Sequence, residues 1–110
     1  MADDSEINLL KLVHTPSDMA HLIKFEASWC GPCKALNPVL QRVVDNYDDV
    51  LEVYTVDVDD NPEFANYFQV RSVPTTIYFG KDGKARWRRS GVFSYTQLAT
   101  FLNLEHGEAS

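Results

Sequence analysis

The chain has 110 residues and a formal net charge of −6, with 45% hydrophobic and 12% aromatic residues. This length and composition are typical of one globular domain, so we expect a single domain over residues 1–110, with its core at about 7–104 and polar termini. The negative charge argues against a general nucleic-acid or anionic-membrane binder. No apolar run approaches the ~20 residues that a membrane span needs.

The N-terminus is acidic and polar, whereas a secretory signal needs a basic start and an apolar middle. The chain contains two cysteines, and a pair without an export signal favours a reducing compartment. We therefore expect a cytoplasmic protein in which the cysteine pair is catalytic rather than structural.

Hydrophobic spacing predicts the elements of the first half of the chain. Residues 7–13 fit neither a strand nor a helix period cleanly, and residues 15–18 predict the start of a helix of one or two turns. Residues 22–28 alternate as a strand does. A helix is predicted from residue 32 to about residue 47, and Pro38 inside it should produce a kink.

The second half contains three predicted strands and two predicted helices. Residues 50–58 are apolar on both sides and predict a central strand, and residue 61 precedes a short helix. Residues 75–79 and 84–89 predict a hairpin, and a capping-box spacing at residues 94–97 starts the closing helix. This order predicts an α/β fold with a mixed sheet of four to five strands, helices on both faces and a shortened first helix.

The stretch at residues 29–34 reads Trp-Cys-Gly-Pro-Cys-Lys and lies between a predicted strand and a predicted helix. A Cys-x-x-Cys pair at such a junction indicates a redox motif. Cys30 falls at the helix N-terminus, where unpaired N–H groups and the helix dipole stabilise a thiolate, and Cys33 is close enough to form a disulfide with it. Gly31 permits a tight turn, and Pro32 suits a first-turn position.

With this motif the chain resembles the thioredoxin family over about residues 7–104. The resemblance also rests on more distant residues, namely Pro38, Asp59-Asp60-Asn61-Pro62, Val73-Pro74-Thr75, Lys81-Asp82-Gly83 and Gly91. It implies a thioredoxin fold and a thiol–disulfide oxidoreductase that reduces protein disulfides, with Cys30 as nucleophile and Cys33 as resolving thiol. It further implies a cis Pro74 and a substrate-binding surface made of Trp29, Gly31, Pro32, Val73, Pro74 and Gly91.

The resemblance also implies how the reaction is supplied. No cofactor is expected to be bound, and the reducing equivalents would come from an external reductase, an NADPH-dependent thioredoxin reductase. The expected partners are this reductase and disulfide-containing protein substrates, with the protein itself a monomer. Electron transport and cell redox homeostasis would be its cellular context.

The strand before the motif departs from the family pattern. Where the family usually carries a buried aspartate this chain has Lys24, and two residues later Glu26 replaces a common aromatic residue. The lysine usually found on the next strand is matched by Thr55. The sign and the position of the buried charge have both changed.

Lys24 and Glu26 project from the same face of the predicted strand, so they can form an ion pair behind the dithiol. Our hypothesis is that Glu26 accepts the proton of Cys33 and that Lys24 compensates the charge of Glu26. One alternative is that both side chains extend to water. Another is that an unpaired Lys24 cation lowers the thiol pKa and makes the couple more oxidising.

Two other features have simpler interpretations. Zinc would need two ligands beyond the cysteines, and His14, His21 and His106 show no paired spacing, so no metal is expected. Five of the ten cations lie within residues 81–89, around Trp87. Charge on this last hairpin strand is best explained as protection of a sheet edge, in preference to an acidic partner or single-stranded nucleic acid.

Two alternative functions remain beside the reductase. Some proteins with this fold are non-catalytic binding or assembly subunits, and others are oxidases or isomerases of disulfides. The Gly31-Pro32 pair between the cysteines resembles the reducing branch of the family, whereas the altered Lys24 and Glu26 keep a more oxidising couple open.

Overall fold

The computed structural model describes residues 4–107. Within them the elements are α1 (Asp4–His14), β1 (Ala20–Glu26), α2 (Gly31–Ala35), α3 (Asn37–Tyr47), β2 (Leu51–Asp57), α4 (Pro62–Tyr67), β3 (Thr75–Phe79), β4 (Ala85–Ser90) and α5 (Tyr95–His106). The strands form one mixed sheet in the order β2-β1-β3-β4. Strand β1 is parallel to β2 and antiparallel to β3, and β4 is antiparallel to β3. The predicted α/β class and mixed sheet are confirmed.

Helices cover both faces of the sheet, and each face has its own hydrophobic core. Helices α3 and α5 pack on one face, where Leu22 of β1 joins Leu40, Val43, Leu98 and Leu102. Helices α1 and α4 pack on the other, where the core contains Val13, Ile23, Phe25, Phe64 and Ile77. Because side chains alternate along a strand, β1 contributes to both cores and is almost wholly buried.

Strand β2 is an edge strand, so the prediction that residues 50–58 form a central strand is wrong. Among the described residues it pairs with β1 alone, and Glu52 and Thr55 are exposed. Its β-branched residues gave the signal of a strand buried on both faces, because Val and Thr favour strands wherever a sheet places them.

The first helix also differs from expectation. Helix α1 spans 11 residues, Asp4–His14, and the short helix predicted at residues 15–18 is absent. Thr15 ends a helix rather than starting one, since its Oγ1 donates to the Lys11 carbonyl at 2.6 Å. Ser17 N–H then donates to the Lys81 carbonyl at 2.9 Å, which ties this loop to the hairpin turn.

The single helix predicted at residues 32–47 is two helices that meet at Leu36. Pro38 lies in the first turn of α3, where the N–H that proline lacks would have had no partner. The break is closed by two backbone hydrogen bonds, Leu36 N–H to the Cys33 carbonyl at 3.2 Å and Leu40 N–H to the Leu36 carbonyl at 2.9 Å. The predicted kink is therefore a helix boundary, directly behind the cysteine pair.

The closing hairpin and helix agree with the sequence. Ser94 Oγ accepts from Gln97 N–H at 3.2 Å, and Ser94 N–H donates to Gln97 Oε1 at 2.9 Å, which completes the predicted capping box. Strand β4 lies at the edge of the sheet, as expected from its charge. One of its arginines, Arg88, donates to the carbonyls of Phe68 and Gln69 at 2.5 and 2.8 Å.

Candidate redox site

The two cysteines lie at the start of α2, directly after the end of β1. Cys30 is the N-cap residue of α2, and its Sγ accepts from the Cys33 N–H at 3.2 Å. The two sulfurs form a disulfide, so the structure represents the oxidised state. Cys30 and Cys33 are only 4% and 2% exposed. This arrangement places the Cys30 sulfur at a helix N-terminus, where a negative charge is stabilised.

Apolar residues from three other segments surround the cysteine pair. Ala27, the residue after β1, forms a small buried cluster with both cysteines, and Val58 and Val73 pack against it. Cys30 N–H donates to the Ala27 carbonyl at 3.1 Å, which fixes the turn between β1 and α2. Val73, one of the residues expected in the substrate-binding surface, therefore lies against the cysteine pair.

A shallow groove runs beside the disulfide. Its lining residues are Trp29, Val58, Val70, Arg71, Ser72 and Val73. Trp29 is 69% exposed, and its Nε1 donates to Asp59 Oδ2 at 2.8 Å, which orients the indole ring. Trp29 and Val73, two of the predicted substrate-binding residues, therefore share one surface.

The remaining predicted binding residues fall around this groove. The Val73–Pro74 peptide bond is cis, as expected. Gly91 N–H donates to the Pro74 carbonyl at 2.8 Å, and Gly91 has a φ of +87°, a value that favours glycine. Gly31 and Pro32 are exposed at the start of α2. Val92, the residue after Gly91, is 52% exposed.

On β1, Lys24 and Glu26 form the ion pair expected from their positions on one strand face. Lys24 Nζ donates to Glu26 Oε1 at 2.7 Å. The lysine side chain is 1% exposed and the glutamate side chain 31%, so the cation is buried while the carboxylate reaches water. The alternative in which both side chains extend to water is therefore wrong for Lys24.

Asn37 completes this cluster and was missed from the sequence. Lys24 Nζ also donates to Asn37 Oδ1 at 2.7 Å. Asn37 follows Cys33 by four positions and is the first residue of α3. That spacing, about one helical turn, was the available signal, but it had no meaning until Lys24 was known to be buried on the same side.

Two neighbouring threonines of the sheet take no part in this cluster. Thr55 and Thr76 are the register partners of Lys24 on β2 and β3. Thr55 is exposed at the sheet edge. Thr76 is fully buried, and its Oγ1 has no hydrogen-bond partner among the described residues. Lys24 thus donates to Glu26 of its own strand and to Asn37 of α3.

The opposite end of the sheet contains a second set of buried polar groups. Burial lowers the pKa of His21, and the nearby Glu52 carboxylate opposes this shift. Burial also lowers the pKa of His106, whose Nε2 lies 2.6 Å from the Tyr78 hydroxyl. The pKa of Tyr78 is raised, chiefly by burial. These groups are held neutral near pH 7.

Residues 4–107 contain no cluster of three or more His, Cys, Asp or Glu side chains that would hold a metal ion. None of the helices in this range is both long enough and apolar enough to cross a membrane.

Comparison with known proteins now decides the family. The sequence model of the thioredoxin family matches residues 5–104. The chain belongs to the thioredoxin family. It is 38% identical over 104 residues to thioredoxin from Acidithiobacillus ferridurans, covering 94% of this chain and 91% of that protein. It is 48% identical over 82 residues to thioredoxin from Staphylococcus haemolyticus, covering 74% and 78% of the two chains.

Solved structures agree with this assignment. The structure of Fasciola hepatica thioredoxin has a TM-score of 0.77 and 31% identity, covering 90% of this chain and 92% of that one. Malassezia sympodialis thioredoxin has a TM-score of 0.76 and 29% identity, covering 89% and 84%. The thioredoxin fold is therefore confirmed. With its cysteine pair, the protein is a thiol–disulfide oxidoreductase and a protein-disulfide reductase, and this function is favoured over a binding subunit or an oxidase.

Proposed function

We propose that Cys30 is the nucleophile and Cys33 the resolving thiol of protein-disulfide reduction. The observation that carries this assignment is the position of Cys30 as N-cap of α2, with its Sγ accepting the Cys33 N–H. The same N–H and the helix dipole stabilise a Cys30 thiolate, which is the reactive form of a thiol. Cys33 lies inside the helix and attacks second.

The reaction proceeds in two thiol–disulfide exchange steps. The Cys30 thiolate attacks one sulfur of a substrate disulfide, forming a mixed disulfide and releasing the other substrate sulfur as a thiolate. Cys33 loses its proton, its thiolate attacks Cys30 Sγ, and the second substrate sulfur leaves. The substrate gains two electrons, and the dithiol becomes the Cys30–Cys33 disulfide.

Glu26 accepts the proton of Cys33 in this proposal, and Lys24 compensates the charge of Glu26. Two observations support it: the 2.7 Å ion pair between these residues, and the contact of Lys24 with Asn37, four positions after Cys33 in the sequence. Because the Glu26 side chain is 31% exposed, a proton taken from the buried thiol can be passed on to water.

The substrate-binding surface consists of Trp29, Gly31, Pro32, Val73, Pro74 and Gly91. The groove beside Trp29 and Val73 supports this assignment, because it runs along the apolar surround of the disulfide. An extended substrate segment would pair with the Val73 backbone and place its disulfide against Cys30.

Reducing equivalents come from an external reductase in this proposal, an NADPH-dependent thioredoxin reductase that returns two electrons to the disulfide. The protein acts as a monomer in the cytoplasm, in electron transport and redox homeostasis. The similarity to curated bacterial thioredoxins supports this part.

The roles of the thiols are tested by trapping the intermediate. With reduced protein and insulin as the disulfide substrate, Cys33→Ser should accumulate a mixed disulfide through Cys30, and Cys30→Ser should form none. Non-reducing electrophoresis with mass spectrometry reads both results. Trapping through Cys33 in the Cys30→Ser variant would reverse the two roles.

Glu26→Gln tests the proton acceptor separately. We expect slower resolution of the mixed disulfide with unchanged first attack, because the amide cannot take the Cys33 proton. Stopped-flow tryptophan fluorescence across pH 5 to 9 measures the two phases. An unchanged resolving rate would remove Glu26 from the mechanism.

A further inference from the structure

The Lys24 ammonium is held from two sides by partners of different kinds. One is the Glu26 carboxylate and the other the neutral amide oxygen of Asn37, each 2.7 Å from Nζ. A carboxylate satisfies a hydrogen bond and cancels charge, whereas an amide satisfies the hydrogen bond alone. The choice of partner therefore decides how much of the cation's field remains inside the protein.

The two ions of this cluster differ in their exposure. The Glu26 side chain is 31% exposed, so water screens part of its charge, whereas the Lys24 side chain is 1% exposed. Charges in a buried environment are screened much less than those at the surface. The cluster thus consists of a buried cation, a partly solvated anion and the neutral amide of the exposed residue Asn37, so the cation's field is not fully cancelled.

Asn37 also fixes where this field acts. It begins α3 immediately after the break at Leu36, and it follows Cys33 by four positions across that break. Because Asn37 accepts from Lys24, it joins the ammonium to the start of α3, which follows directly on α2, the helix that carries Cys33. Glu26, the other partner of Lys24, lies at the end of β1, where its register partner is Asp57 of β2.

We propose that Asn37 is a positioning residue for the redox reaction: its amide oxygen holds the Lys24 ammonium toward the active-site helix, where the cation stabilises the thiolate of the reduced protein. The inference rests on the proposed role of the dithiol and goes beyond the pairing of Lys24 with Glu26. A cation so placed favours the reduced form and makes the couple more oxidising.

The decisive variant is Asn37→Asp, which keeps the size of the side chain and adds a negative charge beside Lys24. We expect the thiol titration, followed by absorbance at 240 nm, to move to higher pH. In equilibrium with glutathione at pH 8, the ratio of disulfide to dithiol should rise ~5-fold, or ~20 mV at ~30 mV per tenfold. Asn37→Ala should move both readouts in the same direction by less, because Glu26 then becomes the main partner of the ammonium.

Two controls separate charge placement from general effects. Asn8→Asp adds the same charge on α1, on the other face of the sheet, and should leave both readouts at the wild-type value. Thr76→Val removes the buried hydroxyl that does not bond to Lys24 and should also leave them unchanged. A shift with either control equal to that of Asn37→Asp would overturn the proposal.

Stability alone does not satisfy the test. If Asn37→Asp and Asn37→Ala lower the melting temperature but leave the glutathione ratio and the thiol titration unchanged, Asn37 is merely structural and the proposal is wrong. If Asn37→Asp does not fold, Asn37→Ala decides by the same two readouts. The glutathione equilibrium needs only the disulfide, so it reports on Asn37 even if the protein fails to reduce insulin and the proposed thiol roles fail.

Discussion

Strand β1 buries a basic side chain toward each of its ends, His21 and Lys24, and the surroundings of these two side chains differ. His21 is 2% exposed, and burial lowers its pKa, so the imidazole is neutral near pH 7. Lys24 is 0% exposed, and its ammonium group donates to Glu26 and Asn37. Three positions along one strand therefore separate a neutral buried base from a charged one.

The environment explains the difference. His21 stacks on Tyr54 with ring centroids 6.1 Å apart, and its nearest carboxylate, Glu52, lies 4.0 Å away and is 45% exposed. That carboxylate is too distant and too well solvated to hold a buried proton. Lys24 instead has two acceptors at 2.7 Å.

This contrast shows where the molecule accepts an electrostatic cost. A buried ion pair contributes little net stability, because the desolvation of both ions offsets their attraction. The far end avoids this cost by keeping His21 and His106 neutral. The end near the dithiol retains the buried charge of Lys24 despite its desolvation cost. A role of this charge in the redox reaction, rather than in folding, explains why it is retained.

The largest expected effect comes from reversing the charge at Lys24. Lys24→Asp places a carboxylate in a buried site facing Glu26 and the amide oxygen of Asn37, so we expect the free energy of unfolding to fall by about 3 kcal/mol. Lys24→Met, which removes the charge but keeps an apolar stem, should cost clearly less. Urea denaturation at pH 7 compares the two variants.

A second substitution sharpens this prediction. Thr55 is the register partner of Lys24, and the Thr55→Lys substitution supplies a cation beside the new aspartate. Lys24→Asp with Thr55→Lys should therefore recover a large part of the loss, whereas Thr55→Lys alone should be destabilising through repulsion with Lys24. Equal free energies of unfolding for Lys24→Asp and Lys24→Met would show that the reversed charge does not cause the destabilisation at this site.

The sequence was most informative where local chemistry decides the structure. The 29–34 motif, the capping box at Ser94 and the charged edge strand are each set by neighbours in the chain, and each was predicted correctly. Pro38 was read as a kink because its exclusion from helix interiors is local, but its tolerance in a first turn depends on where the preceding helix ends. That boundary is set by packing around Leu36.

Tertiary contacts account for the other errors. Thr15 bonds back to Lys11, and whether such a residue starts or ends a helix depends on the preceding segment, whose periodicity was ambiguous. Asn37 was overlooked because its partner is distant in sequence. The ion pair of Lys24 and Glu26 was accessible because both residues lie on one strand, whereas the contact with Asn37 required the fold.

At the far end, His106 should make stability depend on pH. Burial lowers its pKa from 6.5, and the Lys81 cation adds to this shift, while Glu105 and Asp49 oppose it. As the pH falls below about 6.5, the unfolded chain therefore takes up a proton before the folded protein does. The contribution of neutral His106 to the free energy of unfolding is therefore fully present above this pH and is progressively lost below it.

The His106→Gln variant tests this directly. The glutamine retains an acceptor for the Tyr78 hydroxyl but does not titrate. The melting temperature of the variant should therefore fall less between pH 7.5 and pH 5.5 than that of the wild-type protein. Tyr78→Phe, which removes the hydroxyl at 2.6 Å from His106 Nε2, should cost about 1 kcal/mol at pH 7.5. A wild-type pH profile in His106→Gln would contradict the assignment of the neutral imidazole.

The smallest expected effect concerns Glu52, the carboxylate that only partly offsets the burial of His21. Glu52→Gln keeps an acceptor for the Tyr54 hydroxyl and removes the charge 4.0 Å from His21. Without that charge, the pKa of His21 falls further, because Glu52 raises it in the wild type. The variant should match the wild type at pH 7.5 and be less stable at pH 5.5 by only about 0.3 kcal/mol, since Glu52 is largely solvated.

A double-mutant cycle makes this small difference measurable. In a His21→Gln background, Glu52→Gln should no longer change the dependence of stability on pH, because the group that responds to the charge is absent. Differential scanning calorimetry at pH 7.5 and 5.5 on all four proteins gives the coupling. A coupling as large at pH 7.5 as at pH 5.5 would mean that Glu52 already holds a proton on His21 in the folded protein, and the contrast between the two ends of β1 would disappear.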